Sequence, residues 1–341
     1  MNLYPLVRPW LFSLDAEKAH HVSFKALDFA NRCGILPAVI GKVPQLPTEF
    51  CGLSLPNPVG LAAGLDKDGK NIDTLAALGF GFLEIGTVTP LPQPGNPLPR
   101  MFRLPEASAL INRMGFNNDG VDACVERVKA SQFYQSGGII GLNIGKNAVT
   151  PIDRASEDYL ICLQKVYAVA SYITVNISSP NTKNLRQLQG GQDLIDLLQT
   201  LTLEKEKLSQ KFGKQVPLFL KIAPDLDADQ VLAIADALLQ FKIDALVATN
   251  TTLSRNGVED LKHSSQAGGL SGKPVKNIST AIIKSFSEAL NGKIPIIGVG
   301  GIMHGSDALE KRHAGASVVQ LYSGLIYKGP QLIKDAISAL A

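Results

Sequence analysis

The chain has 341 residues, 45% hydrophobic and 18% charged, with a formal net charge of +3. That charge is too small to argue for a nucleic-acid partner, and the apolar content is too high for a disordered chain. Four cysteines, Cys33, Cys51, Cys124 and Cys162, stand far apart with no CxxC pair, which suits reduced thiols and fits neither a disulfide framework nor a zinc site.

Residues 1–32 are apolar and aromatic-rich and hold the only tryptophan, Trp10. Asp15 is placed to cap a helix running to about Asn31, with Glu17 in its first turn and Val22, Ala26, Phe29 and Ala30 on one side. Arg8, Asp15, Glu17 and Lys18 interrupt the segment, which excludes a signal peptide and a bilayer-spanning run. Two readings fit: an amphipathic helical hairpin on a membrane surface, or a helical cap packed on the main domain. Residues 33–57 read as a linker, because the stretch 36–58 holds five prolines.

From Pro58 a rhythm begins. Apolar β-rich runs are predicted at Val59–Leu65, Gly81–Val88, Gly138–Ile144, Tyr172–Ile177, Pro217–Ile222, Ala245–Thr249, Ile294–Val299 and Ser317–Tyr322. Helical patterns follow at about 69–78, 120–132, 154–170, 192–211, 227–240, 277–290, 305–313 and 330–340. Repeated β-then-α units imply parallel strands, and eight of them predict an α/β fold, a (β/α)8 TIM barrel over residues 58–341 with an N-terminal two-helix extension. The alternative, a doubly wound sheet, would carry a dinucleotide glycine fingerprint after its first strand, where this chain reads Gly60-Leu61-Ala62-Ala63-Gly64. Residues 96–118 and 253–276 are excursions expected to rise over the top face.

Barrel chemistry sits at the carboxyl ends of the strands. Those ends read Asp66-Lys67, Thr87, Asn143, Asn176 with Ser179, Lys221, Thr249-Asn250-Thr251, Gly300-Gly301 and Tyr322-Ser323. The set has one carboxylate and neither histidine nor cysteine, so a hydrolytic metal site lacks ligands. After the fourth strand, Pro180 biases Ser179 away from helical geometry among uncharged amides and hydroxyls, a setting for a neutral hydrogen-bonding ligand. Gly298-Val299-Gly300-Gly301 and Tyr322-Ser323-Gly324 occupy the usual phosphate position of such barrels, and Gly268–Gly272 could close over it. Lys221 lies inside an apolar strand and must point into the barrel mouth, as a Schiff-base lysine or as a fixed cation beside a cofactor ring. Lys67 reads either as a ligand for a carboxylate or as a solvated loop lysine.

Six blocks in order along the chain resemble the signature blocks of dihydroorotate dehydrogenases: Ala62–Lys67, Asn112–Asn118, Asn176–Thr182, Lys221–Asp225, Ala248–Thr252 and Gly298–Ile302. The N-terminal helices, and serine rather than cysteine at 179, resemble the membrane-associated, quinone-using class 2. The resemblance implies a flavoprotein oxidoreductase of pyrimidine biosynthesis. It would carry one FMN per chain and oxidise dihydroorotate to orotate, with a membrane quinone as co-substrate. It further implies a peripheral membrane protein on the cytoplasmic side of the inner membrane, with no obligate protein partner.

Under that resemblance, Ser179 is the catalytic base. Lys67, Asn112, Arg113, Met114, Gly115, Phe116, Asn176, Asn181, Asn250 and Thr251 bind the pyrimidine. Ala63, Gly64, Leu65, Asp66, Lys67, Thr87, Asn143, Asn176, Lys221 and Thr249 line the flavin, and Gly272, Gly301, Tyr322 and Ser323 take its phosphate. A cyclic diamide with one carboxylate suits several asparagines and one lysine. An unassisted hydroxyl is a weak base, so Thr182 with water is a candidate relay, and residues 184–191, hinged at Gly190-Gly191, a candidate lid. His20 or Arg103 could meet a quinone head in the extension. The rivals are another FMN barrel, a phosphate-binding isomerase or aldolase using Lys221, and a non-catalytic membrane-surface protein.

Overall fold

The computed structural model describes residues 4–341. Eight parallel strands, Val59–Leu61, Phe82–Val88, Ile140–Ile144, Tyr172–Asn176, Leu218–Ile222, Ala245–Ala248, Ile296–Val299 and Val318–Leu321, pair in sequence order. The eighth returns to the first, so the sheet closes into a (β/α)8 TIM barrel, and the eight expected helices follow their strands. The first strand is shorter than expected because the chain turns away after Leu61, with Gly64 in the left-handed region at φ +105°.

Side chains alternate along each strand, and the alternation divides the core in two. Leu83, Ile85, Leu142, Ile173, Val175, Leu220, Ile222, Leu246 and Leu321 pack outward against the helices. Phe82, Tyr172, Phe219, Val247, Ile297 and Val318 pack inward. The inward set closes the barrel at its base, where Tyr172 and Phe219 stack with ring centroids 4.6 Å apart. Residues 33–57, expected as a linker, carry a short helix, Ile35–Ile40, and a hairpin, Thr48–Phe50 with Leu53–Leu55. Phe50 and Leu55 join the inward cluster, so the hairpin plugs the base and leaves only the upper end open.

The two excursions meet over that upper end. Met101–Leu104, Ala109–Asn112 and Gly269–Gly272 form an antiparallel sheet in which Asn112 pairs with Gly269 and Ala109 with Gly272. Phe102, Leu104, Ile111, Val258 and Leu270 give it a core of its own.

The extension forms helices Tyr4–Ser13 and Ala16–Arg32, the second capped by Asp15, whose carboxylate accepts from the Glu17 and Lys18 amides. Leu11, Ala19, Phe24 and Leu36 are buried beneath the extension. Arg103 donates to the carbonyls of Leu11 and Leu14, Arg8 donates to the Tyr327 carbonyl, and Arg100 grips Glu17. The opposite side stays apolar and open, with Leu6 79%, Phe29 67% and Trp10 56% exposed. None of the described helices is long and apolar enough to cross a membrane.

Candidate active site

A cavity fills the upper end of the barrel. Its walls include Ala63, Gly64, Lys67, Thr87, Asn176, Ser179, Asn181, Lys221, Thr249, Asn250 and Thr251 from the strand ends. The antiparallel sheet adds Asn112, Met114, Gly115, Phe116 and Gly272, and the last two strands add Gly301, Tyr322 and Ser323. Four expected residues lie elsewhere. Leu65 lines a second cavity. The Asp66 carboxylate is turned onto the amides of Lys70 and Asn71 and organises the following turn. Arg113, next to Asn112 on an extended strand, points the other way, onto the Phe102 ring and to Gln266. Asn143 is wholly buried, its amide donating to Glu84 and accepting from Thr87.

Sequence reasoning missed Glu84 and Gln320. Both are fully enclosed inside the barrel. Glu84 accepts from Asn143 at 2.7 Å and from Gln320 at 2.8 Å, with Tyr172 OH at 3.4 Å and Lys221 Nζ at 3.6 Å. An acid within the apolar run Phe82-Leu83-Glu84-Ile85 was the available signal, by the same rule that singled out Lys221. Burying one charge is costly, and burying two with several hydrogen bonds is tolerable. From Glu84 a directed chain runs upward. Asn143 accepts from Thr87 Oγ1, which accepts from Asn176 Nδ2 at 2.9 Å. Asn176 Oδ1 accepts from Ser178 Oγ at 3.0 Å, and Ser178 Oγ accepts from Asn250 Nδ2 at 3.0 Å. The chain fixes the amide orientations around the mouth.

At the mouth, Ser179 is buried, and its Oγ accepts from the Asn181 amide at 3.2 Å. Asn181 donates to Asn112 at 3.3 Å, joining the strand-end loop to the overlying sheet. Arg186 clamps the same loops: it donates to the Ser178 and Thr251 carbonyls and pairs with Asp225 at 2.7 Å. Residues 184–191, expected as a lid, are held down there, with Gln189 accepting from the Ala223 amide. Lys67 lines the cavity without a carboxylate within 4 Å among the described residues, and burial lowers its pKa to about 8.

The far end of the cavity is built from backbone. A Cβ on Gly301 would fall 2.4 Å from the Lys276 backbone, and one on Gly272 would fall 2.3 Å from the Ser108 carbonyl. Only glycine lets these loops approach so closely. They lie beside the starts of helices Lys276–Leu290 and Ser323–Lys328, where unpaired amides favour an anion. Ser323 donates to Ser271 at 2.9 Å across this cradle.

A second cavity of about 340 Å³ lies under the extension. It is lined mainly by apolar side chains, including Leu11, Phe24, Leu65 and Leu110, with His20 and Arg103 among few polar ones. Tyr322 lines both cavities. Burial lowers the His20 pKa to about 3, so the imidazole is neutral.

A model of the family described as "Dihydroorotate dehydrogenase" matches residues 45–341. The chain belongs to the dihydroorotate dehydrogenase family. Among curated relatives of the family, the "Dihydroorotate dehydrogenase (quinone)" of Polynucleobacter asymbioticus is 60% identical over 340 residues, covering 100% of this chain and 99% of its own. The protein of the same name from Dechloromonas aromatica is 60% identical over 339 residues, covering 99% of this chain and 98% of its own. The crystal structure of DHODH in complex with ferulenol from Eimeria tenella superposes with a TM-score of 0.86 at 36% identity, over 95% of this chain and 90% of that one.

Proposed function

We infer that this chain oxidises dihydroorotate to orotate in pyrimidine biosynthesis, as an FMN-dependent oxidoreductase that uses a quinone as final acceptor. One observation carries the reading: Ser179, Lys67 and three asparagines converge at the mouth of a cavity that shares Tyr322 as a wall with an apolar chamber.

The donor set fits FMN. Gln320 Oε1 is buried at the cavity wall with no hydrogen-bond partner among the described residues, Lys221 supplies a cation, and the glycine and serine cradle supplies anion-binding amides. FMN, when bound, supplies the hydride acceptor and a redox relay to the quinone. In this proposal Lys221 and Gln320 hold the polar edge of the ring, and Ser271, Gly272, Gly301 and Ser323 hold the phosphate. Lys67, already desolvated by burial, takes the substrate carboxylate as a charge-assisted ion pair. Asn112, Asn181 and Asn250 meet the ring amides, and Ser179 removes the carbon-bound proton, with buried Thr182 as its relay. Arg186, by pinning the loops, excludes water from that transfer.

The extension supplies the quinone entrance in the same proposal. Its exposed apolar side rests on lipid at the cytoplasmic face of the inner membrane, and the chamber with neutral His20 and Arg103 receives the quinone head. The deciding measurement is the visible spectrum of the purified protein. A flavin absorption that bleaches under anaerobic dihydroorotate and returns on adding a lipophilic quinone is expected; a colourless protein, or one that dihydroorotate leaves unchanged, sinks the reading.

A further inference from the structure

Lys311 lies outside the cavity, on helix Gly305–His313, and is wholly buried. Its Nζ meets three acceptors: the Lys276 carbonyl at 3.0 Å, Ser279 Oγ at 3.0 Å and Thr280 Oγ1 at 2.8 Å. The two hydroxyls have already committed their own protons. Ser279 donates to the Val299 carbonyl at 2.5 Å, and Thr280 donates to the Lys276 carbonyl at 2.7 Å. All three contacts therefore need a proton from nitrogen, and only the ammonium form has three.

No carboxylate oxygen lies within 4 Å of this ammonium among the described residues. The nearby Asp307 and Glu310 are bound instead to Lys276 Nζ, at 3.0 and 2.9 Å. Its position is also unusual for a cation, since it caps the first turn of helix Lys276–Leu290, the end where the helix dipole favours negative charge. Burial lowers its pKa to about 7, with Asp307 and Glu310 opposing that shift from beyond 4 Å, so a further anion nearby is what would keep the ammonium fully charged.

The cradle lies one residue away. Ser279 ties Lys311 to the Val299 carbonyl, which shares a peptide unit with the Gly300 amide. A Cβ on Gly300 would sit 3.0 Å from Ser279, and one on Gly298 would sit 3.1 Å from Lys311 Cβ. The strand-seven loop thus rests directly on the Lys311–Ser279 pair.

We propose that Lys311 is a positioning residue for the cofactor phosphate: through Ser279 it fixes the Val299–Gly301 loop, and its charge is the counter-charge behind the phosphate cradle. The inference rests on the FMN reading above and adds a residue to it.

The test loads the full chain by exchange with FMN or with riboflavin, which has the same ring and no phosphate, and follows flavin release by fluorescence on dilution. Lys311→Met is expected to release FMN about tenfold faster than wild type, the scale of a lost charge-assisted interaction, while riboflavin release changes by less than about twofold. Equal acceleration of both flavins, or unchanged FMN release, overturns the proposal. If Lys311→Met does not fold, Ser279→Ala, which keeps the charge and cuts the link, carries the test: FMN release must quicken selectively, by about threefold or more. A wild-type chain that does not hold FMN better than riboflavin would instead refute the phosphate reading of the cradle. A wild-type preference that persists in both variants refutes only the role of Lys311.

Discussion

Lys221 Nζ stands 3.6 Å from Glu84 Oε1, and both side chains are buried. The pair joins the proposed flavin site above to the closed aromatic base below. Removing one partner strands the other as a buried charge.

Lys221→Ala is therefore expected to lose flavin and also to destabilise the fold by about 3–5 kcal/mol, read as a lower unfolding midpoint. Adding Glu84→Gln should restore most of that stability without restoring flavin, because it removes the orphaned charge and not the missing cation. A double-mutant cycle measures both effects. A Lys221→Ala protein that melts like wild type with a full flavin complement would show that the pair matters to neither.

The proposed base gives a kinetic prediction. Ser179→Ala removes a hydroxyl that, among the described residues, hydrogen-bonds only the Asn181 backbone amide, so FMN and orotate should bind as before. Flavin reduction by dihydroorotate, followed by anaerobic stopped flow, should slow about a hundredfold or more. Reduction at the wild-type rate would end the assignment.

The barrel is legible in the sequence because its strands are buried on both faces, and apolar runs alternating with helical periods fit few folds besides a parallel one. Lys221 is legible because a charge in such a run needs a reason. Glu84 obeys the same rule, but it lies a layer below the strand ends where barrel chemistry is expected. Asn143 lies in the same layer: its place in the alternation turns its amide to Glu84 and Thr87. Asn112 is reachable only through family resemblance. It is held by pairing with Gly269, across more than half the barrel's sequence, and no local period encodes such a contact. The basal hairpin is hidden by proline density, since Pro47 and Pro56 flank its short strands and read as linker.

Lys67 gives a pH dependence. Burial lowers its folded-state pKa to about 8, and an approaching carboxylate favours the ammonium and raises it again. Orotate binding then takes up a proton wherever the free lysine is neutral. The dissociation constant should be flat below pH 8, rise by up to tenfold per pH unit above it, and level off beyond the higher pKa of the complex. Lys67→Met should weaken binding by about 1.5–3 kcal/mol at neutral pH and abolish the rise. Spectral titration of the FMN-loaded protein with orotate checks both, and a pH-independent wild-type constant would remove Lys67 from the carboxylate.

The exposed side of the extension gives the last prediction. Trp10, Phe29 and Leu6 are more than half exposed, while Leu11, Ala19 and Phe24 on the other side are buried over the apolar cavity. A helix pair apolar on both sides is poorly suited to water on one of them, and lipid suits it better. Charging the outer side alone should separate its two proposed duties. Leu6→Glu with Phe29→Glu, two residues that do not line the cavity, leaves the buried contacts, the Arg100–Glu17 bridge and the cavity lining at His20 and Arg103 in place. Reduction of flavin by dihydroorotate should not change. Reoxidation by a short-chain, water-soluble quinone should change little, because the chamber behind Tyr322 is intact. Sedimentation with anionic vesicles should fall sharply, and so should turnover with a long-chain quinone carried in those vesicles. If the charged variant still binds vesicles and turns over the embedded quinone at the full rate, the extension is a cap on the barrel and the acceptor enters by another path.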